Sequence, residues 1–285
     1  MKNILGKISD QITYRKNQSK LPIFYFDRTL NVGDILNPYL ISKVAGKDTF
    51  LTKHRTHAHL LAIGSIMHFG TEHSHVWGSG IIESGQLPSD SILKRMKFYA
   101  VRGESTKQLL QERGVSLGNL PLGDPAVLTS DFYSPKRSDK RYKVGIVPHF
   151  VDFDNQIFDE LKENHDIRII DVRQHPESFI DQLCSCDHVI SSSLHGLILA
   201  DTYNIPNAWI RFSDRVIGGN FKFLDYYSTT DMGLDRERLS QLQPKIINDR
   251  VTLNQILTNI ESVCRINKYI FDKKRLMDSF PNVFI

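Results

Sequence analysis

Residues 187–212 read DHVISSSLHGLILADTYNIPNAWIRF, and this stretch decides the fold. Asp187–Ser192 is a short apolar strand candidate, Leu194–Asn204 is an apolar helix candidate, and Ile205–Phe212 returns to a strand pattern. A strand that feeds through a serine-rich turn into an apolar helix and on to another strand pairs its strands in parallel, with the helix as a right-handed crossover. The turn carries a chemical question as well. A histidine at position 195 is either packed in the core or meets a ligand at the strand's carboxyl end, where open α/β sheets bind.

The same grammar extends outward. KVGIVPHF (143–150) reads as a strand, FDNQIFDELKENH (153–165) as a helix, DIRIIDV (166–172) as a strand and HPESFIDQLCSC (175–186) as a helix. In the first half, PIFYFDRTL (22–30), HLLAIGSIM (59–67), HVWGSGI (75–81) and KFYAVR (97–102) are strand candidates. NPYLISKVAG (37–46) and GESTKQLLQERG (103–114) are helices with terminal glycines. The polar, basic SPKRSDKRYK (134–143) has the composition of a linker. With 285 residues, near the size at which single cores stop growing, the expectation is an α/β chain of two doubly wound Rossmann-like domains, 1–135 and 136–285, facing a cleft. Beyond Phe212 a polar loop precedes helical segments around 235–242 and 253–270, and NKYIFDKKRLMDSF (267–280) is basic and apolar at helical spacing. That tail either packs on the core or lies against a membrane surface or partner.

Composition narrows the function. Forty per cent hydrophobic and 24% charged residues describe an ordinary globular chain, and no apolar run reaches the roughly 20 residues of a membrane helix. The opening MKNILGKISDQITYRKNQSK has no apolar stretch or cleavage site of a secretory leader, so the cytoplasm is expected. Three cysteines, Cys184, Cys186 and Cys264, make no disulfide framework and read as reduced thiols. A net charge of +4 suits phosphorylated or carboxylated substrates and is not arranged as a nucleic-acid footprint.

Several strand ends carry chemistry. At the start of the helix from Leu194, unpaired N–H groups and the helix dipole make an anion site; Gly196 lets a ligand approach, and Ser191, Ser192 and Ser193 add hydroxyls. His195 there can donate a hydrogen bond or a proton. Asn31-Val32-Gly33-Asp34 is a second such turn, in which Gly33 frees the backbone. Asp34 either serves sugar hydroxyls and acts as a base, or it or Asn37 caps the following helix. Arg102, at a third strand end, offers a planar fork for carboxylate or phosphate. Asp124, in a Gly-Asp-Pro turn, is structural or catalytic. Gly64-Ser65 and Gly78-Ser79-Gly80 are further glycine-bearing ends. Histidines at 54, 57, 59, 68, 73 and 75 lack paired Cys or Glu ligands, so no metal is expected.

In order, NVGD (31–34), AIGSIM (62–67), VWGSGI (76–81), YAVRGESTKQLLQERG (99–114), LGDPAVL (122–128), VGIVPH (144–149) and ISSSLHGLILADTYNIPNAWI (190–210) resemble the polysaccharide pyruvyl transferase family. The resemblance implies a GT-B-like fold and transfer of pyruvate from phosphoenolpyruvate to two hydroxyls of a sugar, giving a cyclic ketal and phosphate. It implies that His195 and Arg102 contact phosphoenolpyruvate, with the backbone at Leu194 near its phosphate or carboxylate. Several members carry arginine where this chain has Ser193, so Arg211 and Arg215 are expected to supply anion binding. The chemistry then asks His195 to protonate the methylene carbon and Asp34 to take the hydroxyl proton. Phosphoenolpyruvate is a co-substrate and no cofactor is needed. The first domain is expected on the acceptor side and the second on the donor side, with a nucleotide-linked or lipid-linked saccharide as acceptor. The basic tail would be peripheral at the inner face of the membrane. A glycosyltransferase using a nucleotide sugar would use the same cleft, and a glycan-binding protein without chemistry is the third reading.

Overall fold

The computed structural model describes residues 2–136 and 140–285; residues 137–139, inside the expected linker, lie outside the described residues. Two parallel sheets organise the chain. The first comprises β1 (Leu21–Phe24), β2 (Thr49–Leu51), β3 (His59–Leu61), β4 (Ser74–Trp77) and β5 (Lys97–Ala100), in the order β2-β1-β3-β4-β5. The second comprises β6 (Tyr142–Val147), β7 (Ile167–Ile169), β8 (Cys186–Ser191) and β9 (Asn207–Trp209), in the order β7-β6-β8-β9. Every pair of these named strands is parallel. Each sheet grows first to one side of its opening strand and then to the other. The order therefore reverses between β1 and β3 in one sheet and between β6 and β8 in the other, which opens a crevice at the strands' carboxyl ends in both.

The helices are α1 (Lys2–Lys16), α2 (Val32–Ala45), α3 (Asp90–Leu93), α4 (Glu104–Glu112), α5 (Pro176–Cys184), α6 (Leu194–Thr202), α7 (Phe221–Tyr227), α8 (Arg236–Ser240), α9 (Arg250–Thr258), α10 (Ile260–Val263) and α11 (Lys273–Asp278). All nine residues of α6 are buried, in keeping with its near-continuous apolar sequence. A single apolar core joins the two sheets: Val32, Leu36 and Leu40 of α2 belong to it together with Phe179 and Ile180 of α5 and Leu197–Leu199 of α6. Smaller cores lie behind each sheet. The end of the chain returns to the first sheet. Trp77 Nε1 donates to the Leu276 carbonyl at 3.0 Å, Phe280 packs edge-on against Trp77, and Leu276, Phe280 and Phe284 are buried. These apolar side chains of the basic tail are thus spent on the protein's own interior.

Four local expectations are corrected. Residues 153–165 form no α-helix; the run from Phe150 to Glu163 is three successive 3-10 turns. Asn155 restarts the turn by accepting from the Ile157 N–H, and Glu160–Glu163 buries nothing, so no apolar face rewards a longer helix. The helix expected from Asn37 begins instead at Val32, and its cap is Asn31, whose Oδ1 accepts from Gly33 N at 3.1 Å; neither Asp34 nor Asn37 caps it. Pro38 sits within this helix without breaking it because Asn37 Nδ2 reaches the Asp34 carbonyl, the acceptor that proline's missing N–H leaves free. The strand from Pro22 ends at Phe24, and the helix expected over 253–270 is divided into α9 and α10 and ends at Val263.

Candidate functional site

The turn after β8 places three serines in three different roles. Ser191 Oγ is fully buried, donates to the Ser193 carbonyl at 2.8 Å and accepts from Ser193 N, which pins the turn. Ser192 Oγ accepts from His149 N at 2.8 Å, tying the ends of β8 and β6 together. Ser193 is the N-cap residue of α6 in extended conformation, and its hydroxyl makes no capping bond, so the first N–H groups of α6 are left for another acceptor. Gly196 has a packing role rather than the expected ligand role. A Cβ there would lie 2.4 Å from Ser191 Oγ and 2.9 Å from Val147, so glycine lets α6 sit directly on β6 and β8.

His195 enters from the first turn of α6 and is 7% exposed. Its Nε2 faces Asp124 Oδ2 at 3.6 Å, and neither atom has another partner among the described residues. Asp124 is held in place by its other oxygen, which accepts from Ala126 N and caps the turn from Pro125. The opposite edge of the ring lies over Gly33, where an added Cβ would come within 2.1 Å of His195 Nδ1. Two helix starts, those of α2 and α6, therefore meet at this imidazole. Gly33→Ala should displace the ring without disturbing α2, since alanine is a better helix former than glycine. Turnover should fall by roughly 10²-fold, as when a catalytic group is misplaced by about 1 Å, and stability to urea should drop by about 1–3 kcal/mol, the cost of overpacking a buried ring; unchanged kinetics would contradict this placement.

These helix starts open into a cavity of about 390 Å³ lined by both halves of the chain, including Asp34, Ser65, His149, Ser193, Leu194, His195, Arg215 and Lys222. It sits at the reversal points of both sheets. Burial pushes the Asp34 carboxyl up to about 7, against a backbone hydrogen bond from Phe26 and the charge of Lys222. Lys222, on α7, is buried and donates from Nζ to the Ile217 carbonyl at 3.0 Å. Burial, then the nearby Arg102, bring its ammonium down to about 8, with Asp34 pulling the other way. His149 is held neutral, down to about 3, by burial and by Lys222. Arg215 lines the cavity with its guanidinium largely exposed and one nitrogen 3.2 Å from the buried Asp152. The result is a pocket with two cations and the open start of α6, suited to an anion.

Arg102 departs from expectation. Its side chain is 0% exposed, and its nitrogens are committed to Asp225 Oδ2 at 2.9 Å, Ser65 Oγ at 2.6 Å and the Ile81 carbonyl at 2.8 Å. Asp225 in turn accepts from the N–H and hydroxyl of Thr106. Arg102 thus joins α7 to the first sheet and positions Ser65, which does line the cavity; it does not itself reach it. Arg211 lines an adjoining cavity instead. Lys222 and His149 add to the expected lining, and Asp124 faces His195. His149 carries a sequence signal, because it ends the strand VGIVPHF and strand ends at a reversal point are where ligands meet the sheet. Lys222 gave no such sign in its polar surroundings.

The model of the polysaccharide pyruvyl transferase family matches residues 5–214. The chain belongs to this family. Among curated relatives, the succinoglycan biosynthesis protein ExoV of Rhizobium meliloti is 28% identical over 174 residues, covering 60% of this chain and 53% of ExoV. An uncharacterized protein of Acanthamoeba polyphaga mimivirus is 27% identical over 250 residues, covering 85% of this chain and 83% of that protein. A solved structure of a functionally uncharacterized protein from Klebsiella pneumoniae aligns with a TM-score of 0.48 at 12% identity, over 84% of this chain and 97% of that one. Within the polysaccharide pyruvyl transferase match lie Gly33, Asp34, Asp124, His149 and His195, whereas Arg215, Lys222 and Asp225 follow it. No helix among the described residues is long and apolar enough to cross a membrane.

Proposed function

We propose that the protein transfers the pyruvyl unit of phosphoenolpyruvate onto two hydroxyls of one hexose in a surface-polysaccharide precursor, forming a cyclic ketal and releasing phosphate. The observation that carries this reading is the convergence of His195, Asp34 and Lys222 on one cavity beneath the open N–H groups of α6. Family membership and the likeness to a succinoglycan biosynthesis protein support it.

Phosphoenolpyruvate carries a carboxylate and a phosphate, which Lys222, Arg215 and the N–H groups at Leu194 and His195 would hold. His195, oriented by Asp124, delivers a proton from Nδ1 to the methylene carbon, and C2 becomes electrophilic. The first sugar hydroxyl adds to C2 and gives its proton to Asp34. The second hydroxyl then replaces the phosphate and its proton leaves with it, so that one phosphoenolpyruvate and one diol yield one ketal and one phosphate. Positive charge at Lys222 and the α6 dipole stabilise the departing group.

The two shifted groups set the pH profile. Asp34, raised to about 7, takes a proton only when ionised, and Lys222, lowered to about 8, holds the anion only when protonated. The rate at low substrate should therefore rise with pH through about 7 and fall above about 8, giving a narrow bell. Asp34→Asn should remove the acidic limb along with most of the rate, whereas Lys222→Arg should restore activity above the alkaline limb. A rate that does not fall below about 7 or above about 8 would refute both roles.

The direct test is phosphate release from phosphoenolpyruvate in the presence of polysaccharide-precursor saccharides, together with thermal stabilisation by phosphoenolpyruvate. Release that requires both substrates is the expected result. Stabilisation by nucleoside diphosphates but not by phosphoenolpyruvate would overturn the reading in favour of glycosyl transfer.

A further inference from the structure

A second cavity of about 290 Å³ adjoins the first, and Ile217 stands in the wall of both. Its chemistry differs. The first presents Lys222 and Arg215 against the one carboxyl of Asp34; the second presents the carboxylates of Glu83 and Asp214 with the guanidinium of Arg211, so its charged groups do not sum to an anion site. The Arg211 side chain has no ion pair among the described residues, and its neighbour Trp209, 7% exposed, has a buried indole N–H with no acceptor. Trp209 is itself fixed, stacked on Phe223 with ring centroids 4.2 Å apart and planes within 12°.

Carboxylates, a fork of guanidinium donors and a rigid indole are complementary to a ring of hydroxyls, each of which both donates and accepts. The volume lies just under the roughly 300–1,000 Å³ of drug-sized sites, which suits one sugar ring rather than an oligosaccharide. The location fits too. Ser192 lines this cavity while Ser193, the next residue, lines the first, so a ring seated here has one edge facing the donor. We infer that the cavity behind Ile217, built from Glu83, Trp209 and Arg211, seats the hexose that receives the pyruvyl unit. The inference rests on the transfer reading above and assigns its acceptor side to the β9–α7 connection of the second half, with Glu83 reaching in from the first.

The chain has two tryptophans, and Trp77 is fully buried and bonded to the Leu276 carbonyl, so ligand-dependent emission reports on Trp209. The probes are methyl glucoside and methyl galactoside, titrated at millimolar concentration with and without saturating phosphoenolpyruvate. A glycoside-dependent change that Trp209→Phe abolishes and that persists with phosphoenolpyruvate bound is expected. Arg211→Ala and Glu83→Gln should each weaken it by about tenfold, the worth of one charged hydrogen bond, with phosphoenolpyruvate binding unaltered. Lys222→Ala should do the reverse. Glycoside binding that is indifferent to Arg211 and Glu83, competition by phosphoenolpyruvate, or no glycoside response from a protein that binds phosphoenolpyruvate normally would each overturn the acceptor seat. Failure to bind phosphoenolpyruvate would instead count against the donor reading, and the glycoside titration would still decide this one.

Discussion

Arg102→Ala should destabilise the protein by about 3–5 kcal/mol, the cost of removing one partner from a buried ion pair. The guanidinium is sealed from solvent, and its loss would leave the buried Asp225 carboxyl with only Thr106 as donor, Ser65 and the Ile81 carbonyl losing their partner as well. From the sequence, the same substitution would be expected to abolish transfer and leave unfolding unchanged. The structure reverses the order: urea unfolding should shift first, and activity should be lost because α7, which carries Lys222, is no longer tied to the first sheet. Arg102→Lys can keep one of the three bonds and should lie between. In a double-mutant cycle with Asp225→Asn the two losses should be strongly non-additive, since most of the first cost is the orphaned carboxylate. A wild-type unfolding midpoint in Arg102→Ala, with activity gone, would return Arg102 to the role of anion clamp.

This reversal shows what the sequence can carry. The strands read cleanly where they are buried on both faces: β8, with Val189, Ile190 and Ser191 buried, and β3, buried at all three residues, are visible as apolar runs. β2 leaves little mark in the sequence because Thr49–Leu51 is three residues long and only half-buried. The turn between β8 and α6 was legible because strand, cap and helix are contiguous, and His195 with Ser193 and Leu194 lines the cavity as the turn implied. Arg102 is ambiguous in the sequence because a strand-end arginine looks the same whether it meets a ligand or a carboxylate from Asp225, a partner that only the tertiary fold brings beside it. The same holds for Asp124 beside His195 and for Lys222 beside Asp34. Each belongs to a different segment, and local pattern contains no term for such encounters. Gly196 and Gly33 illustrate the point in reverse. Both sit where a ligand-approach glycine belongs, yet one accommodates Ser191 and the other the ring of His195.

His195→Ala should lower turnover by about 10²–10⁴-fold, the contribution of a positioned general acid, while phosphoenolpyruvate still protects the protein from heat. The separation follows from geometry. Anion binding is assigned to Lys222, Arg215 and the N–H groups of α6, all of which survive the substitution, whereas His149 is held neutral by its burial and Asp34 is ionised over the working pH range above about 7, so neither takes over as the proton donor. Lys222→Ala should give the complementary pattern, a raised KM for phosphoenolpyruvate with a smaller loss of kcat. Asp124→Asn should fall between, because an amide can still contact Nε2 but cannot stabilise a charged ring, and the effect should appear in kcat rather than in binding. If His195→Ala instead abolishes phosphoenolpyruvate binding and Lys222→Ala leaves it intact, the imidazole is an anion ligand and the acid must be sought elsewhere in the cavity. The split between kcat and KM thus discriminates proton transfer from simple charge pairing at the same residue, which neither distance nor burial can do alone.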